Sequence, residues 1–268
     1  MKVKTLNTSG EEKDLVELPI QFNEKVRLDL IKRAFTVIIK NKKQPYGASP
    51  EAGKRASANL SRRRRKYRGS YGLGISRVPR KIMSSRGTRF NWQGAFAPGT
   101  VGGRKAHPPK AEKILTQKIN KKERRKAIRS ALAASVIKEL VEKRGHKVPK
   151  IYPLIIEDDV QDMKKTKEIK DFLLKIGLKN ELQRAAIKSI RAGKGKSRGR
   201  KYKKRKGPLI VVSKECSLKK AVKNIAGIDV EKISKINVEL LAPGAVPGRL
   251  TLYTKAAIKE LGEKNLFK

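Results

Sequence analysis

Apolar residues recur at helical spacing early in the chain. Ile31, Ala34, Phe35 and Ile38 fall on one face of the segment from Val26 to Lys42, which predicts an amphipathic helix. A longer run, NKKERRKAIRSALAASVIKELVEKRG, carries a wide apolar face of Ala127, Ile128, Ala131, Leu132, Val136, Leu140 and Val141. Asn120 followed by Glu123 has the spacing of a capping box, and Gly145 supplies a stop, so one helix is expected between them. MKKTKEIKDFLLKIG predicts a helix ending at Gly177. ELQRAAIKSIRAG predicts a shorter one ending at Gly193, and LKKAVKNIAG one capped by Ser217.

Between these periodic stretches lie short apolar runs. YPLIIED and PLIVVS read as buried strands, KINVELL as a further strand, and RLTLYT as a strand leading into the helix KAAIKELGEKN. KVKTL and KDLVELP flank NTSGEE and predict an N-terminal hairpin. Strands alternating with helices imply an α/β fold, a three-layer sandwich with a mostly parallel sheet flanked by helices. That body holds about 190 residues, enough for one sound core.

One stretch obeys neither period. GAFAPGTVGGRKAHPPKAEK, from Gly94 to Lys113, is built of Gly, Pro and basic residues. It ends a longer segment of the same character. Between Lys43 and Lys110 there are 17 Lys or Arg against the single acid Glu51, with ten Gly, six Pro and six of the chain's thirteen aromatics. A second segment, RAGKGKSRGRKYKKRKG from Arg191 to Gly207, has ten basic residues and no acid. The division expected is a globular domain of residues 1–42 and 114–268, a long extended basic loop over 43–113 that interrupts it, and the basic segment 191–207 within the domain.

Charge then narrows the partner. The 268 residues carry a formal net charge of +44, which is self-repelling in a compact state and calls for a polyanion. No run of about 18 apolar residues exists to cross a membrane, and the opening MKVKTLNTSG lacks the apolar core of a signal peptide. Cys216 is the only cysteine, which excludes a disulfide framework and fits an intracellular, reducing location.

SRRRRKYRGSYGLG sets Arg62, Arg63, Arg64, Arg65, Lys66 and Arg68 beside Tyr67 and Tyr71, and RFNWQGAF repeats the theme with Arg89, Phe90, Trp92 and Phe96. Guanidinium forks grip phosphate and stack on bases, and each stacked base is worth about 1–3 kcal/mol. This mixture suits folded or single-stranded RNA. No helix-turn-helix, zinc finger or basic zipper points to DNA. With so few aliphatics the long loop has no core of its own and is expected to order on a polyanion. The candidate RNA contacts also include Arg77, Arg80, Lys81, Arg86, Arg104, Lys105 and His107. In the second segment they are Lys194, Lys196, Arg198, Arg200, Lys201, Lys203, Lys204 and Arg205.

Other features are weaker. Gly193, Gly195 and Gly199 miss both the Walker A and the dinucleotide spacing, and Gly69, Gly72 and Gly74 in GSYGLG lack the third glycine at the right place. His107 and His146 have no acid or thiol nearby in sequence, so metal or general-base roles would need tertiary proximity. Asp158 and Asp159 suit a helix-initiating turn better than a catalytic acid. An enzyme would want a phosphate loop or a convergent acid–base set, and neither is present. A free RNA chaperone or RNA-binding translational regulator is the alternative to a structural RNA-binding protein.

AHPPKAEK (Ala106–Lys113), KKERRKAIRSALAA (Lys121–Ala134), AGKGKSRGRKYKKRKGPLIVVS (Ala192–Ser213) and NVELLAPGAVPGRLTLYT (Asn237–Thr254) closely resemble the fourth large-subunit ribosomal protein family, in its archaeal form. KKQPYG and RVPR fit as well, and the resemblance covers essentially the whole chain in order. It implies a cytoplasmic protein of the large ribosomal subunit, with an α/β domain on the solvent side and the loop Lys43–Lys113 running through large-subunit rRNA to the peptide exit tunnel. The tip, near Gly69–Arg89 and including Gly72, Gly74, Arg77, Val78, Pro79, Arg80, Met83 and Arg86, would help form the tunnel constriction opposite another ribosomal protein's loop. The implied partners are rRNA, neighbouring large-subunit proteins and the nascent peptide, with no membrane, no DNA and no cofactor beyond Mg or monovalent ions held by the rRNA.

Overall fold

A computed structural model describes residues 1–268. The chain opens with β1 (Lys2–Leu6) and β2 (Glu12–Glu17), passes through α1 (Leu28–Asn41), and enters β3 (Arg80–Arg86) and β4 (Arg89–Gly94). Next come α2 (Lys121–Val136), α3 (Lys138–Lys143), β5 (Leu154–Ile156), α4 (Thr166–Lys175), α5 (Lys179–Ala186), β6 (Lys188–Ile190) and β7 (Tyr202–Lys204). The last stretch holds β8 (Leu209–Val212), α6 (Leu218–Val222), β9 (Asp229–Lys232), α7 (Val238–Leu241), β10 (Thr251–Thr254) and α8 (Lys255–Glu263). Two compact units result, one of Met1–Lys42 with Thr116–Lys268 and one of Lys43–Leu115.

The first unit is α/β. Its six strands run in the order β2-β1-β5-β10-β8-β9, parallel throughout except for the β1–β2 hairpin. Side chains alternate across the pleat, so the sheet feeds two cores. Ile155, Leu209, Val211 and Tyr253 face α1, α2, α7 and α8, where Ile31, Ala131, Leu132, Leu241 and Ile258 are buried against them. Leu154, Ile156, Ile210, Val212 and Leu252 face the other way, onto Val141 of α3, Ile169, Phe172 and Leu173 of α4, and Leu218 and Val222 of α6. Burial on both faces explains why these strands are unbroken apolar runs and not alternating ones.

Two polar devices stiffen this body. Tyr253 is buried at the sheet centre, with its ring edge-on to Phe22 at 5.2 Å and its hydroxyl 2.7 Å from Ser135 Oγ. Arg249 is wholly buried. Its guanidinium donates to Gly207 O (2.9 Å), Leu240 O (2.9 Å) and Asp229 Oδ2 (2.6 Å), tying α7 and the start of β8 to β9.

Several local expectations give way to tertiary context. The long helix breaks at Ile137, whose extended φ/ψ of −83°/109° separates α2 from α3. Asn120 makes no side-chain cap, and Glu123 instead reaches Arg33 Nη1 at 3.0 Å. Ser217 is already helical and caps nothing. The helix from Glu181 stops at Ala186, because Lys188–Ile190 is drawn into a hairpin with Tyr202–Lys204. KINVELL is not a strand. Asn237 Oδ1 accepts from Leu240 N at 3.0 Å and opens α7, which buries Val238 and Leu241 at a spacing of three. The sheet ends on β9, whose DVEK sequence carries the charges that suit an edge strand. Asp158 Oδ1 accepts from Ala256 N at 2.9 Å, so the acidic turn serves as a cap for α8 from across the sheet end.

Candidate nucleic-acid interface

The inserted unit, Lys43–Leu115, starts and ends as two strands of backbone running side by side. Ala48 N donates to Pro109 O at 3.0 Å. Gly53 sits at φ +73°, where a Cβ would lie 2.4 Å from the backbone of Gly103 and Arg104. Gly47 meets Ala111 N almost as closely, at 2.7 Å. Only glycine permits this approach, and at Gly53 only glycine adopts the conformation cheaply. The Gly-rich composition is therefore spent partly on holding the two limbs together.

Between the limbs, β3 and β4 form an antiparallel hairpin that the composition had not suggested. Its two-residue turn has Gly87 at φ +58° between the paired Arg86 and Arg89. Along β4 the aromatics alternate with polar residues, so Phe90 and Trp92 share one face. Their centroids are 5.1 Å apart, Tyr67 meets Phe90 edge-on at 5.3 Å, and the Arg80 guanidinium covers Trp92 at 5.4 Å. Arg68 extends the row over Tyr67 at 5.5 Å. The result is a cluster of rings and guanidiniums in place of an aliphatic core.

The remaining sequence-selected residues fall around this cluster. Arg62, Arg63, Arg64, Arg65, Lys66 and Arg68 are all exposed, with Arg65 and Arg68 at positive φ. Arg77 lies over Tyr71 at 4.9 Å. Gly72 and Gly74 take positive φ with open space around them, Met83 is exposed, and Val78 and Pro79 are half-buried. Lys81, Arg86, Arg89 and Lys105 point outward. Arg104 is half-buried beside Phe96 at 5.7 Å, and His107 is exposed in a hollow shared with Lys43, Tyr46 and Glu112. Arg80 differs from its neighbours, because it donates to Ser76 O (2.6 Å) and Ser76 Oγ (2.9 Å) and so braces the turn before β3.

The charge balance separates this unit from an ordinary solvated surface. Of the 17 cations between Lys43 and Lys110, only Arg55 has a carboxylate within 4 Å, that of Glu51 at 3.8 Å. The α/β unit pairs its cations repeatedly, as in Arg129 with Glu24 and Lys255 with Asp14. In the second basic segment Lys206 alone pairs, with Asp229 at 3.1 Å. Lys194, Lys196, Arg198, Arg200, Lys201, Lys203, Lys204 and Arg205 are exposed on the β6–β7 hairpin and its connection. Gly193 and Gly199 take positive φ in that connection, and no helix follows them.

Two further cations, Arg144 and Arg184, reach the same region without any signal in the sequence. They line one cleft with Lys203, Lys204, Arg205 and Lys206. Arg184 is held by Glu181 (Nη2 to Oε1, 2.6 Å), and Glu181 also accepts from His146 Nδ1 at 2.6 Å. His146 thus finds its acid through the fold. Burial, reinforced by the Arg184 and Arg144 charges, holds its imidazole below the usual histidine range. Burial alone would raise Glu181, but its bonds from Arg184, His146 and the Lys147 amide bring it down to about 2. No three His, Cys, Asp or Glu converge to hold a metal ion, and burial raises the Cys216 thiol above its ordinary value. No helix is long and apolar enough to cross a membrane.

Comparison with known proteins covers essentially the whole chain. Residues 16–264 match the model of the ribosomal protein L4/L1 family. The chain is 54% identical to large ribosomal subunit protein uL4 of Nanoarchaeum equitans over 268 residues, covering all of both chains. It is 44% identical to the protein of that name from Methanosphaera stadtmanae, over 98% of this chain and 96% of the relative. It is 46% identical to the one from Methanococcus aeolicus, over 98% and 100%. The chain therefore belongs to the ribosomal protein L4/L1 family in its archaeal form, a family of structural proteins and not of enzymes.

Proposed function

We propose that the chain is a structural constituent of the cytoplasmic large ribosomal subunit, bound to large-subunit rRNA through the inserted unit and the β6–β7 hairpin. The observation that carries this is the row of exposed cations without carboxylate partners in both segments, interleaved with aromatic rings. Unpaired Arg and Lys are matched by phosphates, and the Tyr67–Phe90–Trp92 row offers ring faces to unstacked bases. The relatives' name places them in the large subunit, and the same assembly is the reading offered for this chain. The segment from Gly72 to Arg86 lines the exit-tunnel constriction in this reading, with the nascent peptide passing it and neighbouring subunit proteins around it. Any Mg or monovalent ions at the interface come with the rRNA.

Contacts that neutralise about ten phosphates, if freely reversible, would lose about 10³–10⁵ in affinity between about 50 and 200 mM salt. A segment enclosed by folded rRNA escapes that slope, since its release requires the RNA to open. Native particles sedimented through about 0.5–1 M monovalent salt should therefore retain the protein in stoichiometric amount with the large subunit. Release to the top of the gradient would overturn the enclosed arrangement.

A further inference from the structure

The cleft between the β6–β7 hairpin and the turn at Pro243–Gly244 has an unusual electrostatic make-up. Arg144, Arg184, Lys203, Lys204, Arg205 and Lys206 line it, and no acidic side chain does. Arg144 is the odd member. Its Nη2 donates to Pro243 O at 2.6 Å, while Nη1 is shielded from solvent and has no hydrogen-bond partner. No carboxylate lies within ion-pair distance of its guanidinium, although Arg184 has Glu181 and Lys206 has Asp229. A charge set in a protein wall without a counter-charge is costly and throws its field into the adjoining space. Burial, followed by the Arg249 and Arg184 charges, pulls the Arg144 guanidinium down to about 10.

We propose that this cleft is a phosphate site. The exposed Lys203, Lys204 and Arg205 hold the oxyanion at the mouth, and Arg144 supplies uncompensated positive charge from the wall behind. Arg184 and Lys206 are each already paired, so they contribute shape more than net attraction. The identification of the occupant as a phosphodiester of rRNA rests on the function proposed above. The site itself would serve a free phosphate equally well, since the chemistry is the same.

The full-length chain tests this with three variants, Arg144→Gln, Lys204→Ala and an Arg62–Arg65 quadruple Ala variant. Two readouts are taken for each. One is the shift in Tm on replacing chloride with inorganic phosphate at matched ionic strength. The other is the slope of log K against log salt for a large-subunit rRNA transcript. Phosphate is expected to raise the Tm of the unaltered protein, and both single variants to lose that rise. The rRNA slope is expected to fall by about 1 in each. Loss of the phosphate shift with an unchanged slope supports the site with free phosphate as occupant. A reduced slope without any phosphate shift supports the RNA phosphodiester. Wild-type behaviour of both variants in both readouts overturns the site. Lys204 is exposed, so its variant carries the test if Arg144→Gln fails to fold. An unchanged slope in the quadruple variant would count against the inserted unit's rRNA role, whatever the cleft does.

Discussion

His146 Nδ1 lies 2.6 Å from Glu181 Oε1, with both side chains buried and the two residues 35 positions apart in the chain. Arg184 closes the group from the same helix as Glu181, donating to both carboxylate oxygens at 2.6 and 2.8 Å. This is a buried, hydrogen-bonded charge cluster that joins the residues after α3 to α5.

Its titration sets a pH dependence. Both folded-state pKa values are depressed, so each group stabilises the fold above its unfolded pKa and loses that contribution as pH falls. His146 begins to weaken the fold below its ordinary value of 6.5, and Glu181 between 4.5 and about 2. The Glu181 shift corresponds to about 3 kcal/mol. Urea midpoints measured from pH 7.5 to about 2 should fall in two stages, and His146→Gln should flatten the upper one. A curve of unchanged shape in that variant would remove His146 from the account.

Arg249 should tolerate almost no change. Replacing it with Met leaves Asp229 with Lys206 as its remaining partner and takes the donor from the carbonyls of Gly207 and Leu240, and a buried group left unsatisfied costs about 1–3 kcal/mol. Lys in its place keeps the charge but not the fork, and should recover only part of the loss. Chemical denaturation of the two variants measures both effects. Near-neutral Arg249→Met would mean that the desolvation cost of the pair equals its gain.

Gly53→Ala should open the inserted unit and leave the α/β unit alone. The new Cβ meets Gly103 and Arg104 at 2.4 Å with φ at +73°, a conformation that costs a non-glycine residue about 1–3 kcal/mol. Amide exchange should quicken around residues 47–55 and 103–111 while the core strands stay protected. Equal protection with and without the substitution would show that the limbs are not held by this contact.

Trp92 is the chain's only tryptophan, so its emission reports on the inserted unit alone. Large-subunit rRNA should change its intensity, because stacking competes with the Phe90 and Arg80 contacts at 5.1 and 5.4 Å. Arg80→Ala should alter the emission of the free protein, since it removes the guanidinium over the indole and the brace on Ser76. A titration with no change at saturating rRNA would separate this aromatic row from RNA binding.

Local spacing and composition made much of this protein legible from its residues. The apolar stripe at Ile31, Ala34 and Ile38, the runs PLIVVS and YPLIIED, and the switch between periods defined an α/β body, because each signal lies within a few residues of itself. The two basic segments stood out for the same reason, since charge excess is a property of composition and needs no fold. The tertiary structure decided what depends on distant partners. Ile137 breaks a helix that its own sequence favours, Asn237 turns an apparent strand into α7, and Lys188–Ile190 leaves a helix to pair with Tyr202–Lys204. Glycines at 47 and 53 acquire meaning only when the other limb lies against them. Arg144, Arg184 and Lys206 form one electrostatic site although they are spread over more than sixty residues of chain, because a field depends on distance in space and not on order in sequence.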